Sequence, residues 1–302
     1  MTAQVTKNAC QVVPSCPAAE LGESPVWDER SQRLYWTDIT QQRLHWIEGD
    51  EPLALSLPGP VGFLALTDDP ATVIAGVGNS LYEVRPLRGE QRCLGYGAAE
   101  AAVRCNDGKP DPTGRLWWGT VRDGDQAGSG SLYSCGRHAN FEQRLTGLGC
   151  SNGLAWNVER LEMYFIDSLA HRIDRYGWDP QSGHLSAHEV LAQFTPADGL
   201  PDGMCIDAAD TLWVAFWGGS CVRQIDSVSG RELSRLELPV SQVTSCTFGG
   251  PELRTLYITT ARIGLSDAER AAQPLAGRMF QVELDAPGRA SDRVEGPLPS
   301  LL

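Results

Sequence analysis

The chain has 302 residues, 42% of them hydrophobic, with 25 basic against 38 acidic side chains and a formal charge of −13. That length supports a full-sized core, read as a single domain over residues 1–302 because no composition shift marks a boundary. The acidic balance argues against nucleic acid or an anionic membrane surface as partner, and nine cysteines without Cys-x-x-Cys spacing argue against a disulfide framework or a cysteine-rich zinc site.

In chain order, the opening MTAQVTKNACQVV lacks an apolar h-region, and no run approaches about 18 apolar residues. Neither signal peptide nor membrane span is expected, and a cytoplasmic location is. Helical periodicity is weak, whereas short apolar runs bounded by Gly, Pro and Asp are frequent, as in strands. The corresponding runs, aromatic in all but the second, are RLYWTDI (33–39), ATVIAGV (71–77), RLWWGTV (115–121), EMYFIDS (162–168), TLWVAFW (211–217) and TLYITTA (255–261). Their starts lie 38, 44, 47, 49 and 44 residues apart, the size of a propeller blade. Each follows another short apolar segment across a polar turn, and most precede a third, such as RLHWIEG or RMFQVEL. Three strands plus a more variable fourth, six times over, imply an all-β, six-bladed β-propeller rather than a pair of sandwiches. Ring closure requires the two chain ends to share a blade, so ACQVVPS is expected to add a strand to the sheet of TLYITTA and RMFQVELD. The one helix-like stretch, LSDAERAAQ (265–273), falls in a long link within the last blade. It reads as a surface excursion or as a flap beside the channel mouth.

One register of the repeat is polar. Glu23 stands five residues before Asp28, which begins the turn after the first blade's innermost strand; the same count gives Asn106 before Asp111, Asn152 before Asn157 and Asp202 before Asp207. The other two repeats hold Phe63, and Thr244 or Ser245. Innermost strands line the axial channel, so equivalent positions converge. Two carboxylates and two carboxamides around one axis call for a companion, and a divalent cation fits an all-oxygen set, with calcium, zinc, manganese and iron(II) left open. Taken singly, Asn-Gly and Asp-Gly are also ordinary turn formers. Glycines in LGESP, CNDGKP, CSNGLAW and LPDGMC allow tight turns and close backbone approach there.

Arg104, two residues before Asn106, faces the same way on an extended strand. It can hold a substrate hydroxyl or carboxylate, or form a salt bridge to a nearby acid; Lys109 can simply complete the Asn-Asp-Gly-Lys turn. His171 either faces the central mouth or packs on a blade surface, and His45, His138, His184 and His188 read as peripheral. No Gly-x-Ser-x-Gly elbow, dinucleotide loop or phosphate-binding loop is present.

LGESPVWDERSQRLYWTDI, RCNDGKPDPTGRLWWGT, SNGLAWN with MYFIDS, and PDGMCIDAADTLWVAFWGG together resemble the gluconolactonase and regucalcin (senescence marker protein) family of sugar lactonases. The resemblance implies one divalent metal held by Glu23, Asn152 and Asp202, with Arg104 and Asn106 contacting substrate. Relatives place an acidic residue after the GT of the third blade to hold sugar hydroxyls; here Asp123 or Asp125 would serve, in GTVRDGDQAGSGS, without a clear register. The implied reaction is metal-dependent hydrolysis of a five- or six-carbon aldono- or aldarolactone, with Asp202 as base and Arg104 assisting. Hydrolysis of another activated ester or a phosphotriester, or a non-catalytic calcium-binding role, are the competing expectations. A small-molecule sugar lactone is the expected partner, and the chain is expected to be a monomer or a weak homo-oligomer.

Overall fold

A computed structural model of the protein describes residues 10–96, 103–122, 124, 128–136 and 141–298. Six small antiparallel sheets follow one another along the chain. The first blade holds Gly22–Asp28, Arg33–Asp38, Arg43–Glu48 and Glu51–Ser56, and the second Val61–Thr67, Val73–Val77, Ser80–Arg85 and Glu90–Tyr96. The third holds Val103–Pro110, Leu116–Arg122, Gly130–Cys135 and Glu142–Leu148, and the fourth Ser151–Asn157, Glu162–Asp167, Arg172–Trp178 and Leu185–Gln193. Leu200–Ile206, Thr211–Trp217, Cys221–Asp226 and Glu232–Glu237 make the fifth; Val243–Gly249, Thr255–Thr260, Phe280–Glu283 and Gln11–Val12 make the sixth. This is the six-bladed propeller of the repeat. The N-terminal strand closes it as expected, with Gln11 opposite Gln281 and Val12 opposite Phe280.

The inner strands are buried almost throughout, while the fourth strands are the most exposed, which explains why the fourth run is the most variable in sequence. Adjacent blades pack face to face. Tyr35, Leu44 and Trp46 of the first meet Leu64, Leu66 and Val73 of the second, and Trp117 of the third lies 6.1 Å from Trp156 of the fourth, ring to ring. Burying such side chains stabilises the ring by about 1.5–3 kcal/mol each. The polar turns after the inner strands are held by side chains: Asp111 accepts from the Thr113 and Arg115 amides and from Trp117 Nε1, the last at 2.8 Å. Asp207 repeats the arrangement with Ala209, Thr211 and Trp213 Nε1 at 2.9 Å.

Two features depart from the sequence expectation. Arg293–Val294 runs parallel to the second blade's inner strand, opposite Leu66 and Thr67, so the C-terminal segment crosses to a distant blade. A two-residue strand carries no periodic signal. The other departure is Asn106–Lys109, which lies within the strand Val103–Pro110 and makes no turn. The helix Asp267–Ala272 does form, capped by Ser266 and Glu269. It is tied down by Arg270 to Glu20 at 3.1 Å and lines neither axial cavity, as a surface excursion would.

Candidate active site

All six inner strands break register with their neighbour at one level: between Glu23 and Val26, Val61 and Phe63, Cys105 and Gly108, Ser151 and Leu154, Pro201 and Met204, and Val243 and Ser245. A bulge re-aims side chains that a regular strand would alternate. Asn106, Asn152 and Asp202 lie inside these breaks, and Glu23 lies at the edge of one. Ser24 follows it with φ 47°, a left-handed conformation unusual for serine, and accepts a 2.8 Å bond from the Leu64 amide that ties the first blade to the second. Gly153 and Gly203 have no positive φ; they are needed for close approach. A Cβ on Gly153 would lie 2.7 Å from the Asp202 carbonyl oxygen, and one on Gly203 would lie 2.1 Å from Ser245 Oγ.

A cavity of about 210 Å³ gathers Glu23, Arg104, Asn106, Cys150, Asn152, Ser168 and Asp202. Asn152 Nδ2 donates to Asp202 Oδ1 at 2.5 Å and to Ser168 Oγ at 3.1 Å; Ser168 Oγ in turn donates to the Pro201 carbonyl at 2.6 Å. Arg104 Nη1 donates to Asn106 Oδ1 at 2.8 Å, and Asn106 Nδ2 donates to the Ser151 carbonyl at 2.9 Å. The sequence register therefore brings all four polar residues and Arg104 to one pocket. Further along the axis a second cavity of about 300 Å³ is lined by all six inner strands and bounded by Arg289–Asp292.

Charge at the first pocket is unbalanced. Burial, and then the Asp107 carboxylate, push the Glu23 carboxyl up to about 8, against the Ser24 amide, Arg104 and Lys109. Asp202 is held well above the usual carboxylate range by burial and by Glu23 and Asp107, with the Asn152 hydrogen bond pulling the other way. Glu23 keeps contact with solvent through the mouth, whereas Asp202 and Asn152 are only 7% and 6% exposed. Carboxylates so placed ionise together only when a positive charge joins them.

Asp107 and Ser168 escaped the sequence reading. Asp107 shares a bulge with Asn106, but Asn106 lines the first pocket and Asp107 the second cavity, where its Oδ2 is buried without a hydrogen-bond partner. Ser168 is the residue after the fourth blade's second strand, where only the turn geometry brings it inward. Lys109, read as a turn residue, reaches across the axis to the Met204 carbonyl. His171 is not brought into the pocket: it ends the one-turn helix Ser168–Ala170, with φ 53° and a buried Nδ1 lacking a partner. Asp123 and Asp125 lie outside the described residues. His188 bonds Asp174 at 2.9 Å and His45 stacks on Trp36, both away from the pocket.

Among the described residues no three His, Cys, Asp or Glu side chains gather as a metal cluster; the candidate set is two carboxylates completed by an amide. It fits a hard divalent cation nonetheless. With its nitrogen donating to Asp202 and Ser168, Asn152 has its carbonyl oxygen left for a cation, and the Glu23 and Asp202 carboxylates would supply the charge.

The fold and pocket define a six-bladed propeller with a pocket on its axis that gathers two carboxylates, two carboxamides and an arginine. The pattern of the SMP-30/Gluconolactonase/LRE-like region matches residues 21–262, and the chain belongs to that family. It is 39% identical over 273 residues to the Bacillus subtilis (strain 168) protein named "Putative sugar lactone lactonase YvrE", covering 89% of this chain and 93% of the relative. Regucalcin of Xenopus laevis is 32% identical over 274 residues, 87% of this chain and 90% of its own. Among solved structures, a calcium-binding protein, regucalcin, from Agrobacterium tumefaciens strain C58 superimposes with a TM-score of 0.89 at 26% identity, covering 95% of this chain and 97% of that one. No helix among the described residues is long and apolar enough to cross a membrane.

Proposed function

We infer that the protein hydrolyses a sugar lactone to the open-chain acid, with one divalent cation held by Glu23, Asn152 and Asp202. The observation that carries this reading is the pairing of a buried carboxylate, Asp202, with the half-buried Glu23 carboxylate that raises it and with an amide already oriented toward Asp202. A relative named as a lactonase and a structural neighbour described as calcium-binding support the same combination. When bound, the cation would polarise the lactone carbonyl and acidify water.

The chain's own residues supply the rest. Asp202 accepts bonds from Asn152 Nδ2 and the Gly203 amide, which fix its plane. A carboxylate has about four lone-pair sites, so capacity remains to take the proton of the attacking water. Arg104 and Asn106 orient the ring and its hydroxyls; because they are already bonded to each other and to the Ser151 carbonyl, little side-chain freedom is lost on binding.

The test is proton release from freshly prepared aldono- and aldarolactones, corrected for spontaneous opening, with cation-stripped protein reloaded separately with calcium, zinc, manganese or iron(II). Turnover of a lactone that needs one of these cations is expected. Full turnover after verified stripping would overturn the cation's role, and silence across the panel would overturn the lactonase reading.

A further inference from the structure

The pocket at Glu23 and Asp202 combines polar and apolar lining. Its hydrogen-bonding side chains Arg104, Asn106 and Asn152 come from the third and fourth blades. Much of the remaining lining among the described residues is apolar: Leu21 and Ile39 from the first blade, Leu169 from the fourth, and Leu200 and Trp217 from the fifth. Backbone structure sets these positions. Leu200 and Trp217 are cross-strand partners, the Ile39 amide donates to the Leu21 carbonyl at 2.9 Å, and Leu169 is the middle residue of the one-turn helix Ser168–Ala170.

Of the five, only Ile39 is buried; the other four retain solvent exposure. Single exposed apolar side chains are ordinary, but several converging on one polar floor form surface that a ligand can cover. A ring bearing hydroxyls all round would press some of them against these side chains, where they lose water and gain no partner. A ring with one hydroxyl-poor edge would bury that edge there and keep its hydroxyls for Arg104 and Asn106.

We propose that the preferred substrate is a terminal-deoxy sugar lactone, whose methyl group lies against Leu200 and Trp217 while its hydroxyls face the third blade. This rests on the lactonase reading and names the substrate class within it. Leu200 and Trp217 are then specificity-determining residues.

The experiment compares kcat/KM for a hexonolactone and its terminal-deoxy counterpart of equal ring size and stereochemistry, in the parent, Leu200→Ser and Trp217→Ser proteins loaded with the same cation. The deoxy lactone is expected to be favoured about ten-fold or more in the parent, as for a small apolar group entering an apolar pocket. Either substitution should shrink that ratio several-fold, mainly through KM. Leu200→Thr and Trp217→Gln, polar changes at the same two positions, serve the same purpose should a serine variant fail to fold. An equal or greater kcat/KM for the fully hydroxylated lactone, or an unchanged ratio in the folded variants, would overturn the proposal while leaving the lactonase reading standing. Failure to hydrolyse either lactone would overturn this proposal, whereas the lactonase reading falls only with silence across the full panel.

Discussion

Asn152 and Asp202 meet across the seam between the fourth and fifth blades, Nδ2 to Oδ1 at 2.5 Å, and Asp202 is at the same time held well above the usual carboxylate range by burial and then by Glu23 and Asp107. Substituting Asp202→Asn removes a buried carboxyl that resists ionisation beside Glu23, and also the proposed base. Lactone turnover is therefore expected to fall at least about 100-fold, while the cation-free protein unfolds at the same or higher denaturant concentration than the parent. Activity within a few-fold of the parent in a pH-stat assay would contradict the assignment.

Arg104 reaches Asn106 Oδ1 and the Cys105 carbonyl through one guanidinium nitrogen, Nη1. Lysine keeps the charge but loses the planar fork. Arg104→Lys is expected to lower kcat/KM by about ten-fold or more, most of it in KM if the residue binds substrate. Unchanged steady-state kinetics would remove it from the site.

The propeller was legible because blade period, strand order within each repeat and the need for ring closure all agree. Glu23, Asn106, Asn152 and Asp202 were legible for a related reason: a residue counted back from a side-chain-held turn keeps its place in every blade. Asp107 and Lys109 were not, because the sequence Asn-Asp-Gly-Lys reads equally well as a turn. The apolar rim was not legible either. Leu21, Leu169 and Trp217 sit at strand ends and in a one-turn helix, where no period predicts direction. The strand Arg293–Val294 gains its place only from the groove it lies in.

His45 stacks on Trp36 with ring centroids 5.1 Å apart, and burial pushes its imidazole from 6.5 down to about 4. Between those values the unfolded chain holds a proton that the folded chain does not, so this residue makes stability fall as pH drops through that window and adds nothing further below it. The raised carboxyls Glu23 and Asp202 act in the opposite sense, losing their contribution as pH rises. His45→Phe should therefore flatten the acid side of the stability curve relative to the parent, as read by urea unfolding at several pH values. Parallel curves would contradict the buried, neutral imidazole.

Asp207 holds its turn through the Ala209 and Thr211 amides and Trp213 Nε1. Asp207→Ala leaves those donors without a partner and is expected to cost about 2–4 kcal/mol. Differential unfolding with the Trp213→Phe and double variants should show the two losses to be less than additive; full additivity would mean that the indole bond contributes nothing.

The central claim is that Glu23, Asn152 and Asp202 hold one divalent cation on the propeller axis. Isothermal titration of cation-stripped protein with calcium, manganese or zinc, in buffers of differing ionisation enthalpy, tests it most directly. The expected result is one site per chain with protons released on binding, because the raised carboxyl of Glu23 must ionise, and loss of that site in Glu23→Gln and Asp202→Asn. Absence of stoichiometric binding by the folded parent, or binding that survives both substitutions, would contradict it.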